Sequence, residues 1–195
     1  LYDAVIAALG PGGQGVEAAL CAAGALAHYV GDACQPLHVS RFHHGRTPQE
    51  EGVHSDYETK MVGANRAAII SGLERRLRSV RPKTRIKGHR AAAQATVALM
   101  DRTFKRIPPE HLCDVWVSSH GASAELWSAL GTQTVESMAD GARTLAMLWS
   151  SAWAEAGASA PAARAADRDH LAELYTNRAF VPSQYLTEYA ASVKW

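Results

Sequence analysis

Residues 20–38 read LCAAGALAHYVGDACQPLH, and this stretch decides the predicted fold and carries the first unusual side chains. Alanine and leucine recur at helical spacing, and Pro36 cannot continue a helix, so we predict a helix over about residues 16–34. His28 and Asp32 are four residues apart, which places both side chains on one face of that helix. The stretch therefore predicts a helix that presents a histidine and a carboxylate just before the chain turns.

The remaining chain has the same helical spacing of apolar residues, and no alternating stretch between hairpin turns indicates strands. The sequence predicts an all-α protein, with a single multi-helix domain over residues 1–157 and a metal cluster between its helices. Residues 158–195 are predicted to be a linker and a C-terminal helical tail. Further helices are predicted over residues 2–9, 53–80, 89–106, 110–130 and 134–156, with a loop over residues 35–52. Trp149 and Trp153 are predicted to lie in the core.

Composition excludes several classes of protein. The chain has 195 residues, of which 47% are hydrophobic and 20% charged, as expected for one soluble domain and not for a disordered or collagen-like chain. Three scattered cysteines are too few for a disulfide framework. The charge-free stretch over residues 18–31 is too short to cross a bilayer, which takes about 20 apolar residues.

Basic residues are concentrated between Arg75 and Arg90, a segment that contains no acidic residue. Such a segment can bind a polyanion, either nucleic acid or an anionic lipid surface. It can equally be a solvated helix end with its connecting loop. The segment alone does not decide between these interpretations.

A second pair of metal-binding residue types follows the loop, because His54 and Glu58 repeat the four-residue spacing. Asp56 competes with Glu58, but its position two residues away directs it to another side of the helix. The potential metal ligands are His28, Asp32, His38, His54 and Glu58. Imidazole and carboxylate ligands indicate zinc. His38, His54 and Glu58 would leave a fourth position open for water, which is typical of a catalytic zinc site.

The motif HYVGDxxQPLH over residues 28–38, followed by GVHSxxE over residues 52–58, resembles the zinc-dependent phospholipase C and single-strand-specific nuclease superfamily. That resemblance implies an all-α fold in which up to three zinc ions support phosphodiester hydrolysis by metal-activated water. It implies one zinc on His38, His54 and Glu58, and a second on His28 and Asp32, with Asp32 bridging to a third. Asp32, His38, His54 and Glu58 would thus be catalytic through the metal-bound water.

The resemblance also implies a phosphodiester substrate, single-stranded nucleic acid or phospholipid, and export to the periplasm or the extracellular space. The superfamily completes its cluster with an N-terminal tryptophan and upstream ligands, whereas this sequence begins with Leu1 and has no histidine before His28. We therefore expect an N-terminally truncated domain with one complete zinc ligand set and weak or absent turnover. The oligomeric state stays open.

Two alternatives compete with a hydrolase. The first is a noncatalytic helical module with a structural or vestigial zinc site, and the second is a helical bundle without metal. His43 and His44 lie in the loop between the two motifs. They could contact a substrate or belong to an exposed loop.

Overall fold

The computed structural model describes residues 1–13, 15–78, 85–159 and 167–176. Within these ranges the protein is helical and has no strand, and an isolated bridge between His43 and Gly45 is the one β-type pairing. The predicted all-α class is confirmed for this part of the chain, whereas the superfamily fold stays a prediction. The described residues group into two compact units, residues 1–26 with those from 152 onward, and residues 27–151.

The first two helices of the structure lie where the sequence predicts them. The 2–9 helix is confirmed, and the helix predicted over residues 16–34 ends two residues earlier than expected. The α-helices are α1 Tyr2–Leu9, α2 Val16–Asp32, α3 Val53–Ser55, α4 Val62–Ala64, α5 Arg66–Leu77, α6 Gly88–Arg106, α7 Pro109–Ser118, α8 Ser123–Glu155 and α9 Arg168–Thr176. A 3-10 turn, Pro48–Glu50, lies within the predicted loop, and a π-helical segment, Asp56–Met61, joins α3 to α4.

The prediction of one continuous helix over residues 53–80 is wrong, because this segment is divided into α3, the π-helical segment, α4 and α5. α4 and α5 are separated at Asn65, whose backbone is not helical. The Asn65 Nδ2 donates a hydrogen bond to the Met61 carbonyl at 2.8 Å. An asparagine side chain that occupies such a carbonyl competes with the helical backbone bond. The predicted end of this helix, residues 79 and 80, lies outside the described residues.

The predicted boundary between helices near residue 131 is also wrong, since α8 continues through it. Gly131 is required there by packing, because a Cβ at this position would lie 2.7 Å from the Trp127 indole. The true break comes earlier, at His120 and Gly121, which both have positive φ and end α7. A glycine inside a helical pattern is therefore a weak stop signal when a neighbouring ring needs the space.

The unit of residues 27–151 has a core that fixes the helix bearing the second ligand pair. Val53, Tyr57 and Met61 are buried at successive four-residue intervals and pack with Leu112 and Leu130. The Tyr57 hydroxyl lies 2.9 Å from the Thr134 hydroxyl, and burial raises the pKa of Tyr57 to about 12. We call α3 and the following π-helical segment, residues 53–61, the α3 segment. One face of the α3 segment is thus held against α7 and α8.

The prediction that Trp149 and Trp153 are core residues is wrong. Trp149 is 41% exposed and Trp153 is 37% exposed, whereas Leu148 and Ala152 beside them are fully buried. The helical phase therefore directs the smaller side chains inward.

The other unit has a small core of alanines from α1 and α2, namely Ala8, Ala18 and Ala19. The Tyr2 hydroxyl donates to Glu155 at 3.1 Å. α9 lies in the predicted C-terminal tail, while residues 160–166 of the predicted linker and residues 177–195 lie outside the described part. Among the described residues, none of the helices combines the length and the apolar character that a membrane span requires.

Candidate metal site

A tight turn after α2 positions His38. The side-chain Oε1 of Gln35 accepts hydrogen bonds from the backbone N–H groups of Leu37 and His38, the second at 3.3 Å. This turn returns the His38 ring to the end of α2, where its Nδ1 lies 3.1 Å from Asp32 Oδ1. The two residues that the sequence places on either side of Pro36 are therefore in contact.

The second ligand pair lies where α3 passes into the π-helical segment. His54 Nε2 is 3.0 Å from Glu58 Oε2, and both residues lie beside the buried face formed by Val53 and Tyr57. Single π-helical turns inside helices are rare and occur frequently at functional sites. The Glu58 carboxylate also accepts a hydrogen bond from Gln35 Nε2 at 3.0 Å, which links this segment to the turn after α2.

Three potential ligand atoms from the two segments form a small triangle. His38 Nε2 lies 3.3 Å from His54 Nε2 and 3.5 Å from Glu58 Oε2, and the third side measures 3.0 Å. Ligands at about 2.0–2.2 Å from a tetrahedral zinc are separated by about 3.3–3.6 Å. The triangle is therefore close to the size that one such ion requires.

The Nδ1 atom of each imidazole, which points away from the triangle, has a partner that can only accept a hydrogen bond. His38 Nδ1 faces the Asp32 carboxylate, and His54 Nδ1 lies 3.0 Å from the backbone carbonyl of His43. In the neutral rings both Nδ1 atoms then carry the hydrogen, and both Nε2 lone pairs point at each other and at the Glu58 carboxylate. Metal-binding histidines are held by carboxylate and carbonyl partners of this kind. Lone pairs that converge in this way repel one another unless a cation or a proton lies between them.

The loop after α2 brings a third imidazole to the cluster. The His43 ring centroid lies 4.4 Å from that of His54 and 5.0 Å from that of His38. One nitrogen from each of these three histidines lies within 4.8 Å of the others, so the three can form a metal site. His43 is exposed, but partial desolvation of its ring, followed by the positive forms of His54, His38 and His44, lowers the pKa of His43. A lowered pKa favours the neutral imidazole, which is the form that binds a metal.

An ion-pair network fixes the same loop. Glu50 is buried and accepts hydrogen bonds from the Arg46 guanidinium, at 2.6 Å from Nη2, and from the Arg46 backbone N–H, also at 2.6 Å. Arg46 Nη1 additionally donates to Asp114 of α7 at 2.6 Å. Gly45 has φ +95°, and a Cβ there would lie 2.4 Å from the Glu50 Cβ, so this position requires glycine. We call Arg46, Glu50 and Asp114 the loop clamp.

His28 and Asp32 share a helix face as predicted, with His28 Nε2 3.4 Å from Asp32 Oδ2. The His28 side chain is 74% exposed, and the other Asp32 oxygen is engaged by His38. Both residues and Glu58 line a cavity of about 420 Å³. The lining of the cavity also includes the apolar residues Val62, Met138, Ala142 and Leu145. A second or third zinc on His28 and Asp32 stays a prediction.

Two neighbours of the ligands lie away from the cluster. Asp56 is buried, binds Lys60 at 2.5 Å and accepts a hydrogen bond from the Trp116 indole at 2.9 Å. Burial alone would raise the pKa of Asp56, but these two partners together lower it. The Cys34 thiol donates to the Val30 carbonyl and packs against Gly141, where a Cβ would lie 2.1 Å from its sulfur.

The basic segment is only partly described. Arg76 pairs with Glu136 at 2.9 Å, and its backbone carbonyl accepts a hydrogen bond from Arg143. Arg81 and Lys83 lie outside the described residues. Arg76 therefore contributes to the contact between α5 and α8. The role of the rest of the basic segment stays a prediction.

Sequence reasoning missed Gln35 and did not consider His43 as a ligand. Gln35 lies between the two ligand motifs and its role depends on the turn that the backbone makes at Pro36. His43 is distant from both motifs in residue spacing, so helical periodicity cannot find it. The signal that could have indicated it is the concentration of His38, His43, His44 and His54 within 17 residues.

The chain is similar to a known protein over most of its length. The chain is 33% identical, over 209 aligned positions, to a probable serine protease from Bradyrhizobium tropiciagri, in a match that covers 93% of this chain. The match covers 26% of the relative, so the chain spans about a quarter of that protein's length. No family model and no solved structure matches the chain.

This relative overturns the predicted function. The chain was predicted to be a zinc-dependent phosphodiesterase of the nuclease or phospholipase C type that acts on single-stranded nucleic acid or phospholipid, and its relative is a probable serine protease. The function, the enzyme class and the phosphodiester substrate are therefore wrong. The physical reason is that histidine and carboxylate spacing indicates which side chains can hold a metal, but it does not determine the reaction that the protein supports. The superfamily resemblance and export stay predictions.

Proposed function

We propose that residues 27–151 form a zinc-binding helical module, with His38, His54 and Glu58 as ligands. One observation carries this proposal: three lone-pair atoms from two separate segments converge within 3.0–3.5 Å of one another. Two nitrogens and one carboxylate oxygen suit zinc better than magnesium or calcium, which prefer oxygen ligands. When bound, zinc would supply a cross-link between the turn after α2 and the α3 segment.

The outer contacts of the ligands provide a test of this proposal. We expect Asp32→Ala to lower zinc affinity about 10- to 100-fold, because the variant loses the acceptor that holds the His38 ring. Zinc affinity would be measured by competition with a chromogenic chelator. Asp101→Ala is the matched control, since Asp101 pairs with Lys105 on the surface of α6. Absence of zinc binding in the unmodified chain would refute the proposal, and equal affinity in both variants would refute the orienting role of Asp32.

The relative favours a second candidate, peptide-bond hydrolysis by a serine nucleophile. Such a nucleophile needs a base within hydrogen-bond reach, usually histidine. Among the described residues, some serine hydroxyls donate to backbone carbonyls, as at Ser40 and Ser119, and others accept hydrogen bonds, as at Ser137 and Ser151. No described serine hydroxyl is hydrogen-bonded to a histidine of the cluster.

This arrangement predicts how the chain responds to a serine-hydrolase probe. We expect a fluorophosphonate probe to leave the chain unlabelled, because no described serine is paired with a histidine of the cluster. Intact-mass spectrometry checks the result, with the heat-denatured chain as the control for nonspecific labelling. Stoichiometric labelling of one serine in the native chain would establish the hydrolase candidate and identify its nucleophile.

A further inference from the structure

The ring of His43 lies beside the rings of two of the three ligands, His38 and His54. Its centroid lies 4.4 Å from the His54 ring and 5.0 Å from the His38 ring, and a nitrogen of each ring lies within 4.8 Å of the others. Nitrogen ligands of one zinc are separated by about 3.3 Å. Shortening the distances from the His43 nitrogen to the His38 and His54 nitrogens by at most about 1.5 Å would therefore bring it to the spacing of ligands on one zinc.

The backbone already ties His43 to this place. Its carbonyl accepts the hydrogen bond from His54 Nδ1 at 3.0 Å, so the residue is attached to a ligand independently of its own ring. The loop clamp begins three residues later, where Arg46 is joined to buried Glu50 and to Asp114 of α7. The loop is therefore anchored on both sides of the His43 ring, by the His43 carbonyl and by Arg46.

We propose that His43 is the fourth ligand of the zinc site, so that His38, His43, His54 and Glu58 form a closed set. The inference rests on the zinc site proposed above and deepens it. Zinc sites with four protein ligands are structural, whereas catalytic sites keep one position for water or substrate. A closed set assigns the ion the role of holding the loop, the turn after α2 and the α3 segment together.

The side chain of His43 can be tested separately from its backbone. His43→Ala keeps the carbonyl that holds His54 and removes only the imidazole. His44→Ala is the matched control, because His44 is the adjacent histidine of the same loop and its ring centroid is 6.1 Å from that of His54. Circular dichroism of both variants checks that the helical fold is retained.

The experiment compares zinc affinity and the visible spectrum of the cobalt(II)-substituted chain. We expect His43→Ala to bind zinc at least 10-fold more weakly and His44→Ala to bind as the unmodified chain does. The unmodified cobalt form should have the intense visible bands of four-coordinate cobalt and should not respond to azide. In His43→Ala the bands should change on addition of azide, because the open position can take the anion.

The outcomes separate the two proposals. If the unmodified chain binds no zinc, the zinc module and the fourth ligand both fail. If the unmodified chain binds zinc and His43→Ala binds it equally well with the same cobalt spectrum, only the assignment of His43 fails. A response of the unmodified cobalt form to azide would also overturn the closed set.

Discussion

His54→Ala is expected to lower the zinc affinity of the chain by more than about 100-fold. Loss of an outer hydrogen-bond partner of a metal ligand costs about 10- to 100-fold, and loss of a ligand itself costs more. His54 Nε2 lies 3.0–3.3 Å from both of the other ligand atoms, so its removal opens the triangle completely. The measurement is zinc titration against a chelator of known affinity.

Thermal unfolding gives a second measure of the same variant. A ligand at about 100 times its dissociation constant stabilises the folded state by about 2.7 kcal/mol, which raises the melting temperature of the unmodified chain. His54→Ala should lose this zinc-dependent rise. His111→Ala is the control, because His111 lies on the exposed side of α7, outside the cluster. Equal zinc-dependent rises in His54→Ala and in the unmodified chain would contradict the ligand role of His54.

Glu50→Gln is expected to destabilise the metal-free chain by about 2–3 kcal/mol. Breaking a buried ion pair costs about 3–5 kcal/mol, and we expect a smaller cost here because the Arg46 side chain is 29% exposed and keeps Asp114 as a partner. Urea unfolding followed by circular dichroism measures the difference. Asp114→Asn is the matched control and should cost less than about 1 kcal/mol, since the Asp114 side chain is 65% exposed.

The ion pair of Arg46 and Glu50 also predicts how the free energy of unfolding depends on pH. Hydrogen bonds from Arg46 lower the pKa of Glu50 below its usual 4.5, although burial alone would raise that pKa. The carboxylate therefore stabilises the folded state above pH 4.5, and the contribution is lost as the pH falls through the lower pKa of the folded state. The difference in unfolding free energy between the unmodified chain and Glu50→Gln should shrink over that range. A constant difference down to pH 3 would contradict the role of the ionised pair.

Much of the helical framework could be predicted from the sequence, because local periodicity determines it. The 2–9 helix and α2 follow from alanine and leucine spacing, and the contacts within the His28–Asp32 and His54–Glu58 pairs follow from four-residue separation. The break at Asn65 and the continuation through Gly131 depend on hydrogen bonding and on packing with Trp127. Such tertiary effects override helix propensity.

The loop between the ligand motifs could not be predicted in the same way. The position of His43 depends on the loop clamp, and the clamp depends on a contact between Arg46 and Asp114 that spans 68 residues of sequence. The function was predicted wrongly for a related reason. Residue spacing indicates which side chains can surround a metal, but it does not show whether the coordination sphere stays open for a reaction.

The central claim is that the chain holds zinc between its two ligand motifs. The most direct measurement is zinc per chain by elemental analysis, after equilibration with zinc and removal of unbound metal by gel filtration, for the unmodified chain and for Glu58→Ala. We expect about one zinc per unmodified chain and a large loss in Glu58→Ala, because Glu58 supplies the one carboxylate of the triangle. No zinc in the unmodified chain, or equal zinc in both proteins, would contradict the claim.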